Sequence, residues 1–131
     1  MQENVMPQDT LLVCILCQYP QTEEKRSGLS EGQALFNQLQ NGLKTSSEAC
    51  IRLQPVRCMG ACSHACAAAF MAPNKLTFIL SQLSPTDSVP DLLEFSRQYR
   101  AYSDGKVPFK ERPATVKQKI HAVLPPLPTQ P

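Results

Sequence analysis

The chain has 131 residues, of which 42% are hydrophobic and 18% charged, with a formal net charge of +2. That length supports one hydrophobic core, and the composition excludes a disordered chain. The charge is too small to argue for nucleic acid, and the longest apolar runs, Leu11–Cys17 and Ala65–Ala72, fall far short of the ~20 residues of a membrane span.

Residues 1–9 read as a flexible lead-in. They have no basic n-region or cleavage site, so a secretory signal is not expected and the chain is read as cytoplasmic. In that reducing compartment clustered cysteines serve as metal ligands or catalysts rather than bridges. One domain is expected over residues 10–123, followed by a Pro-rich tail over 124–131.

Thr10–Cys17 is short, apolar and partly β-branched, and reads as a buried central strand with Cys14 and Cys17 near its end. A polar loop follows to Gly28. Ser30 then opens a helix. Gln33 stands where a capping box needs it, and Leu29 and Ala34 occupy the staple positions. Leu35, Leu39 and Leu43 make the packing stripe with Phe36 beside them, and Gly42 with the polar Lys44–Glu48 is read as the end.

Cys50–Arg57 alternates as a half-exposed strand, and Pro55 pushes it to an edge or a strand end. Gly60 then permits a tight path, and Ser63 is read as the cap of a short alanine-rich helix through Phe70. After a turn at Pro73-Asn74, Lys75–Leu83 reads as a strand. Ser88 is read as the cap of a helix with Pro90 and Asp91 in its first turn, a stripe of Leu92, Phe95, Tyr99 and Tyr102, and a stop at Asp104-Gly105. A last short helix after Arg112-Pro113 is expected to carry Val116, Ile120 and Val123, with His121 among them. Leu124-Pro125-Pro126-Leu127-Pro128 is polyproline-like. Strands alternating with helices define an α/β fold, a small central sheet flanked by helices. A right-handed strand–helix–strand start brings Cys14, Cys17 and Cys58 to neighbouring parallel strands, at the edge where such folds bind ligands.

Five of the six cysteines fall in two segments: Cys14-x-x-Cys17, and Cys58-x-x-x-Cys62-x-x-x-Cys66. Two turns that each supply a pair of thiolates suit a tetrahedral zinc site or a 2Fe–2S cluster. Cys14, Cys17, Cys58 and Cys62 are the expected ligands of that centre. Cys66 is a fifth thiol that can bind metal itself, exchange with another ligand, or pack in the core. Cys50 belongs to neither cluster and reads as a buried free thiol. His64 reads as a surface histidine or as a replacement for a sulfur, and Arg57 as a thiolate-stabilising neighbour or simply the polar face of a strand. From Arg97 onward seven Lys/Arg face two Asp/Glu. That distribution suits a docking surface for an acidic partner or a solvated helix face.

Cys58-Met59-Gly60-Ala61-Cys62 resembles the second cysteine pair of thioredoxin-like 2Fe–2S ferredoxins, including the small subunit of NADH dehydrogenase. From about Leu11 to Pro128 the chain is similar to a family of small bacterial proteins described as predicted metal-binding. The similarity is carried by the two cysteine segments, by Pro73-Asn74-Lys75-Leu76-Thr77-Phe78 and by Val107-Pro108-Phe109-Lys110-Glu111-Arg112-Pro113. It implies a thioredoxin-like fold and a bound metal centre. The first two cysteines are closer together here than in those ferredoxins, and Leu76 and Phe109 stand where other aromatics are expected in the family.

Three functions compete. The first is a 2Fe–2S electron carrier serving a protein redox partner. The second is a zinc or other metal carrier or structural metal protein using the same cysteines. The third, a dithiol oxidoreductase using Cys14 and Cys17, ranks last, because about ten polar residues separate Cys17 from any helix N-terminus that would lower its pKa. No phosphate loop, nucleophile–histidine pair or H-E-x-x-H is present, and the chain is not expected to be an enzyme.

Overall fold

A computed structural model describes residues 9–15, 30–45, 51–57 and 66–126. The lead-in before Asp9, the loop after Cys17, the Leu29 staple position, Cys50, the Gly60 turn, the Ser63 cap, His64 and the end of the tail lie outside those residues. The described elements are β1 (Thr10–Cys14), α1 (Glu31–Thr45), β2 (Arg52–Val56), β3 (Ala68–Met71), β4 (Thr77–Leu80), α2 (Val89–Ala101), a 3-10 turn (Phe109–Glu111), α3 (Ala114–Lys119) and β5 (Ile120–Leu124). The five strands form one sheet in the order β2-β1-β3-β4-β5. β1 and β2 run parallel, and the other pairs are antiparallel.

β1 has neighbours on both sides, so Leu11, Val13 and Cys14 are buried. β2 is an edge strand, where the missing N–H of Pro55 is tolerated. α1 begins as its sequence dictates: the Ser30 hydroxyl accepts from the Gln33 N–H at 3.0 Å, and Leu35 and Leu39 are fully buried. Gly42 does not end it. The helix continues to Thr45, and a Cβ at Gly42 would stand 2.5 Å from Leu93 Cδ1 of α2. The glycine is there for close approach of two helices.

Two expectations about regular structure are overturned. The alanine run is not a helix: Ala68–Met71 is a strand between β1 and β4, with Ala68, Ala69 and Phe70 all buried. Alanine favours helix only weakly, and a slot between two apolar strands outweighs that preference. Ile120, His121 and Val123 are not helical either. α3 stops at Lys119, and Ile120–Leu124 forms edge strand β5, which satisfies the free ladder of β4.

α2 lays Leu92, Phe95 and Tyr99 on the sheet. Its ring Phe95 meets Phe70 edge-on at 4.9 Å and Phe78 at 5.2 Å, the geometry that aromatic quadrupoles favour. Ser88 is not a side-chain cap of this helix; its hydroxyl accepts from the Ser84 N–H at 2.9 Å. Asp91 serves the next helix instead, accepting from the Thr115 N–H at 3.0 Å. Gly105 has φ +74°, and a Cβ there would press on Tyr99 Cε1 at 2.9 Å, so only glycine fits the turn after α2. Among the described residues no helix is long and apolar enough to cross a membrane.

Candidate metal centre

The cysteine segments are positioned by the sheet register. Cys14 is the last residue of β1 and lies opposite Val56, the last residue of β2. The Ile15 N–H continues the parallel ladder by donating to the Val56 carbonyl at 2.9 Å. Cys17 follows three residues after Cys14 and Cys58 two after Val56, so both segments depart from adjacent, parallel C-terminal strand ends. β3 runs the other way, pairing Ala68 with Val13, and so Cys66 enters the sheet at this same end.

Cys14 is 1% exposed; its N–H donates to the Ala67 carbonyl at 3.1 Å, and its thiol makes a long 3.9 Å contact with the Arg57 carbonyl. Its sulfur is therefore free and buried, with one weak partner for its proton among the described residues. Cys66 is fully buried. Its N–H donates to the Leu83 carbonyl at 3.4 Å and its carbonyl accepts from the Leu83 N–H at 3.1 Å, which ties it to the loop after β4. Desolvation, then Glu31 and then Cys14, push the Cys66 thiol up to about 12, so it stays protonated in metal-free protein at neutral pH. Bound metal would have to displace that proton.

The start of α1 belongs to this region as well. Ser30 donates its hydroxyl to the Ile15 carbonyl at 2.5 Å while capping the helix, which fixes the positive end of α1 beside the segment that leaves Cys14. The Ser30 cap is visible in the sequence, but the box closes on one side only, because the Gln33 amide donates to Asn37 Oδ1 at 3.0 Å instead of turning back to Ser30. The bond from Ser30 to Ile15 is not visible, because nothing local encodes it. The sequence likewise marks Leu83 only as the end of a strand.

Of the expected ligands, Cys14 is described, while Cys17, Cys58 and Cys62 lie outside the described residues. Cys14 and Cys66 are both free thiols. Among the described residues no three His, Cys, Asp or Glu side chains gather as a cation site. Arg57 is exposed and meets Cys14 through its carbonyl. His121 is exposed on β5, and two strands, β3 and β4, separate β5 from β1.

Two parallel strands joined through a helix, followed by two antiparallel strands and a second helix, define a thioredoxin-like domain, and solved structures agree. The thioredoxin-like [2Fe-2S] ferredoxin from Aquifex aeolicus matches with a TM-score of 0.57 and 14% identity, over 89% of this chain and 93% of that one. A 1.5 Å structure of the wild-type ferredoxin gives a TM-score of 0.56 and 16% identity, over 88% and 98%. One of its single Cys→Ser variants gives 0.56 and 14%, over 87% and 98%. At these identities the likeness establishes the fold. The chain belongs to the family described as a protein of unknown function (DUF1636), whose model matches residues 11–126. No curated protein matches the sequence.

Proposed function

We propose that Cys14, Cys17, Cys58 and Cys62 hold one 2Fe–2S cluster, and that the protein passes single electrons to a protein partner in the reducing cytosol. The observation that carries this reading is the pairing of Cys14 with Val56, from which both cysteine segments leave side by side. The likeness in fold to a 2Fe–2S ferredoxin supports it. A cluster bound there would supply the one-electron chemistry. The chain's own part is to bury sulfur, as Cys14 is buried, and to exclude water. In this reading Cys66 is the fifth thiol of the same strand end, able to take up metal when another sulfur is lost. No catalytic step is assigned to the chain.

The short spacing between Cys14 and Cys17 favours a second reading, tetrahedral zinc held by the same four sulfurs. Iron, zinc and acid-labile sulfide analysis on protein purified without oxygen, with a visible spectrum, separates the two. About two iron and two sulfide per chain, with absorption that bleaches on reduction, is the expected result. Colourless protein with stoichiometric zinc selects the second reading, and metal-free protein overturns both.

A further inference from the structure

The segment Val107–Pro113 has no part in the metal centre, although it is among the most distinctive stretches of the sequence. It is built as a rigid turn. Val107 is buried, and the Arg112 Nε donates to its carbonyl at 2.9 Å. The Glu111 N–H donates to the Pro108 carbonyl at 2.9 Å and the Arg112 N–H to the Phe109 carbonyl at 3.2 Å. From α2, Gln98 donates to the Glu111 carbonyl at 2.7 Å. All this bracing leaves Phe109 62% exposed. An aromatic ring fixed in water on a turn stapled from both ends is a preorganised contact rather than a loose side chain.

Its surroundings are cationic. The Arg112 guanidinium lies 5.6 Å and the Lys117 ammonium 5.2 Å from the Phe109 ring centre. Lys106, Lys110 and Lys117 are exposed, and Lys119 is half-buried. From Gly105 to the end of the chain Glu111 is the only carboxylate, and it accepts a 2.8 Å hydrogen bond from the Tyr102 hydroxyl. Arg112 also covers Phe78 at 5.1 Å, and Val123, Phe78's direct partner in β5, adds apolar surface at 42% exposure. The turn thus presents one exposed ring with two cations against it and further exposed lysines on the same segment, with the Asp104 carboxylate accepting from the Lys106 N–H at 3.0 Å at its start, on a chain whose first ninety-six residues carry more acid than base.

We infer that the segment Lys106–Lys119 is the docking face for an acidic protein partner, with Phe109 as its apolar anchor and Lys106, Lys110 and Lys117 as the charges that steer it. This goes beyond the metal-centre reading and stands without it. Charge complementarity selects the partner: carboxylates pair with the lysines while an apolar side chain covers the ring. Nucleic acid fits less well: Phe109 is the only exposed aromatic ring among the described residues, whereas single-strand binders stack successive bases on several rings along a basic groove.

The test is a titration of the isotopically labelled full chain, followed by amide NMR, with a short synthetic peptide alternating Glu and Leu. Shift changes confined to residues 106–124, and lost between ~20 mM and ~0.5 M salt, are the expected result. Phe109→Ala weakens binding about tenfold or more, and the Lys110→Glu, Lys117→Glu double variant abolishes it. Phe109, Lys110 and Lys117 are all exposed, so both variants keep the native amide spectrum away from the substituted positions. Shifts centred elsewhere, or affinity unchanged in Phe109→Ala, overturn the assignment. Tighter binding of a thymidine oligonucleotide or of anionic lipid vesicles at the same residues overturns the choice of a protein partner.

Discussion

Lys75 lies in the Pro73–Phe78 segment, and its burial makes a quantitative prediction possible. Its ammonium sits 2.8 Å from the Asp9 carboxylate, and both residues are 8% exposed. It also donates to the Tyr99 carbonyl at 2.9 Å and lies 4.7 Å from the Tyr99 ring centre. Asn74, in the left-handed region at φ 65°, turns the chain so that the lysine points inward. The Asp9 carbonyl accepts from the Arg52 N–H at 2.9 Å, so the pair fastens the start of β1 to β2 on one side and to α2 on the other. Lys75→Met keeps most of the packed stem but leaves a buried carboxylate without its cation. Such a loss costs about 3–5 kcal/mol. For a domain of this size, that lowers Tm by roughly 10 °C or more. Asp9→Asn in the Lys75→Met background removes the stranded charge and recovers about half of the loss or more, so the coupling is at least ~2 kcal/mol. The assay is thermal unfolding of the metal-free protein by far-ultraviolet circular dichroism, with urea unfolding to complete the double-mutant cycle. A Lys75→Met variant that melts within about 2 °C of the parent would refute the reasoning. So would a double variant as unstable as the sum of the two single variants.

Gly42→Ala places a methyl 2.5 Å from Leu93 Cδ1, a flexible side-chain end, and overpacking sets about 1–3 kcal/mol against a helix gain of about 1 kcal/mol. Urea unfolding is expected to show a small net loss, a larger one for Gly42→Leu, and recovery when Leu93→Ala is added. In metal-free protein the Cys66 thiol is held up to about 12. The unfolded chain therefore releases this proton first as pH rises. The stabilisation is complete below about pH 8.5 and is lost towards pH 12, with a slope of up to ~1.4 kcal/mol per unit. Cys66→Ala flattens the fall in stability between pH 9 and 10, before Tyr99, also raised by burial, contributes. On the proposed 2Fe–2S reading, Cys14→Ser, Cys17→Ser and Cys58→Ser each abolish or strongly bleach the visible absorption of protein purified without oxygen, whereas Cys50→Ser leaves it unchanged.

What could be read in the sequence was whatever is encoded locally. Ser30 and Gln33 announce the start of α1 because a cap and its partner lie three residues apart on the chain. Pro55 announces an edge strand because it removes a ladder donor wherever it sits. Leu92, Phe95 and Tyr99 announce the buried side of α2 by their spacing alone. The elements that were misread take their structure from partners distant in sequence. The alanines of β3 are strand because Leu11–Val13 on one side and Phe78–Leu80 on the other supply ladder partners that the local sequence does not show. Ile120–Leu124 is strand because β4 would otherwise leave its outer ladder unpaired.

The same distinction governs the candidate site. The types and spacing of its cysteines are local features of the sequence, whereas the placing of Cys66 at the strand end of Cys14 depends on β3. With a helix in the place of β3, Cys66 would lie on a helix surface apart from β1. As the entry to a central strand antiparallel to β1, it is carried to the end of the sheet where Cys14 stops, and its backbone is locked there by Leu83. Changing the alanine run from helix to strand therefore moves a thiol that sequence spacing assigns equally to ligand, exchange or packing roles into the sheet end that already holds Cys14. The small side chains make this possible. Ala68 and Ala69 are 0% and 4% exposed on opposite faces of the sheet, and at both positions a larger residue would press on what covers that face. The strand that fixes Cys66 beside Cys14 is thus the one whose composition most disguises it.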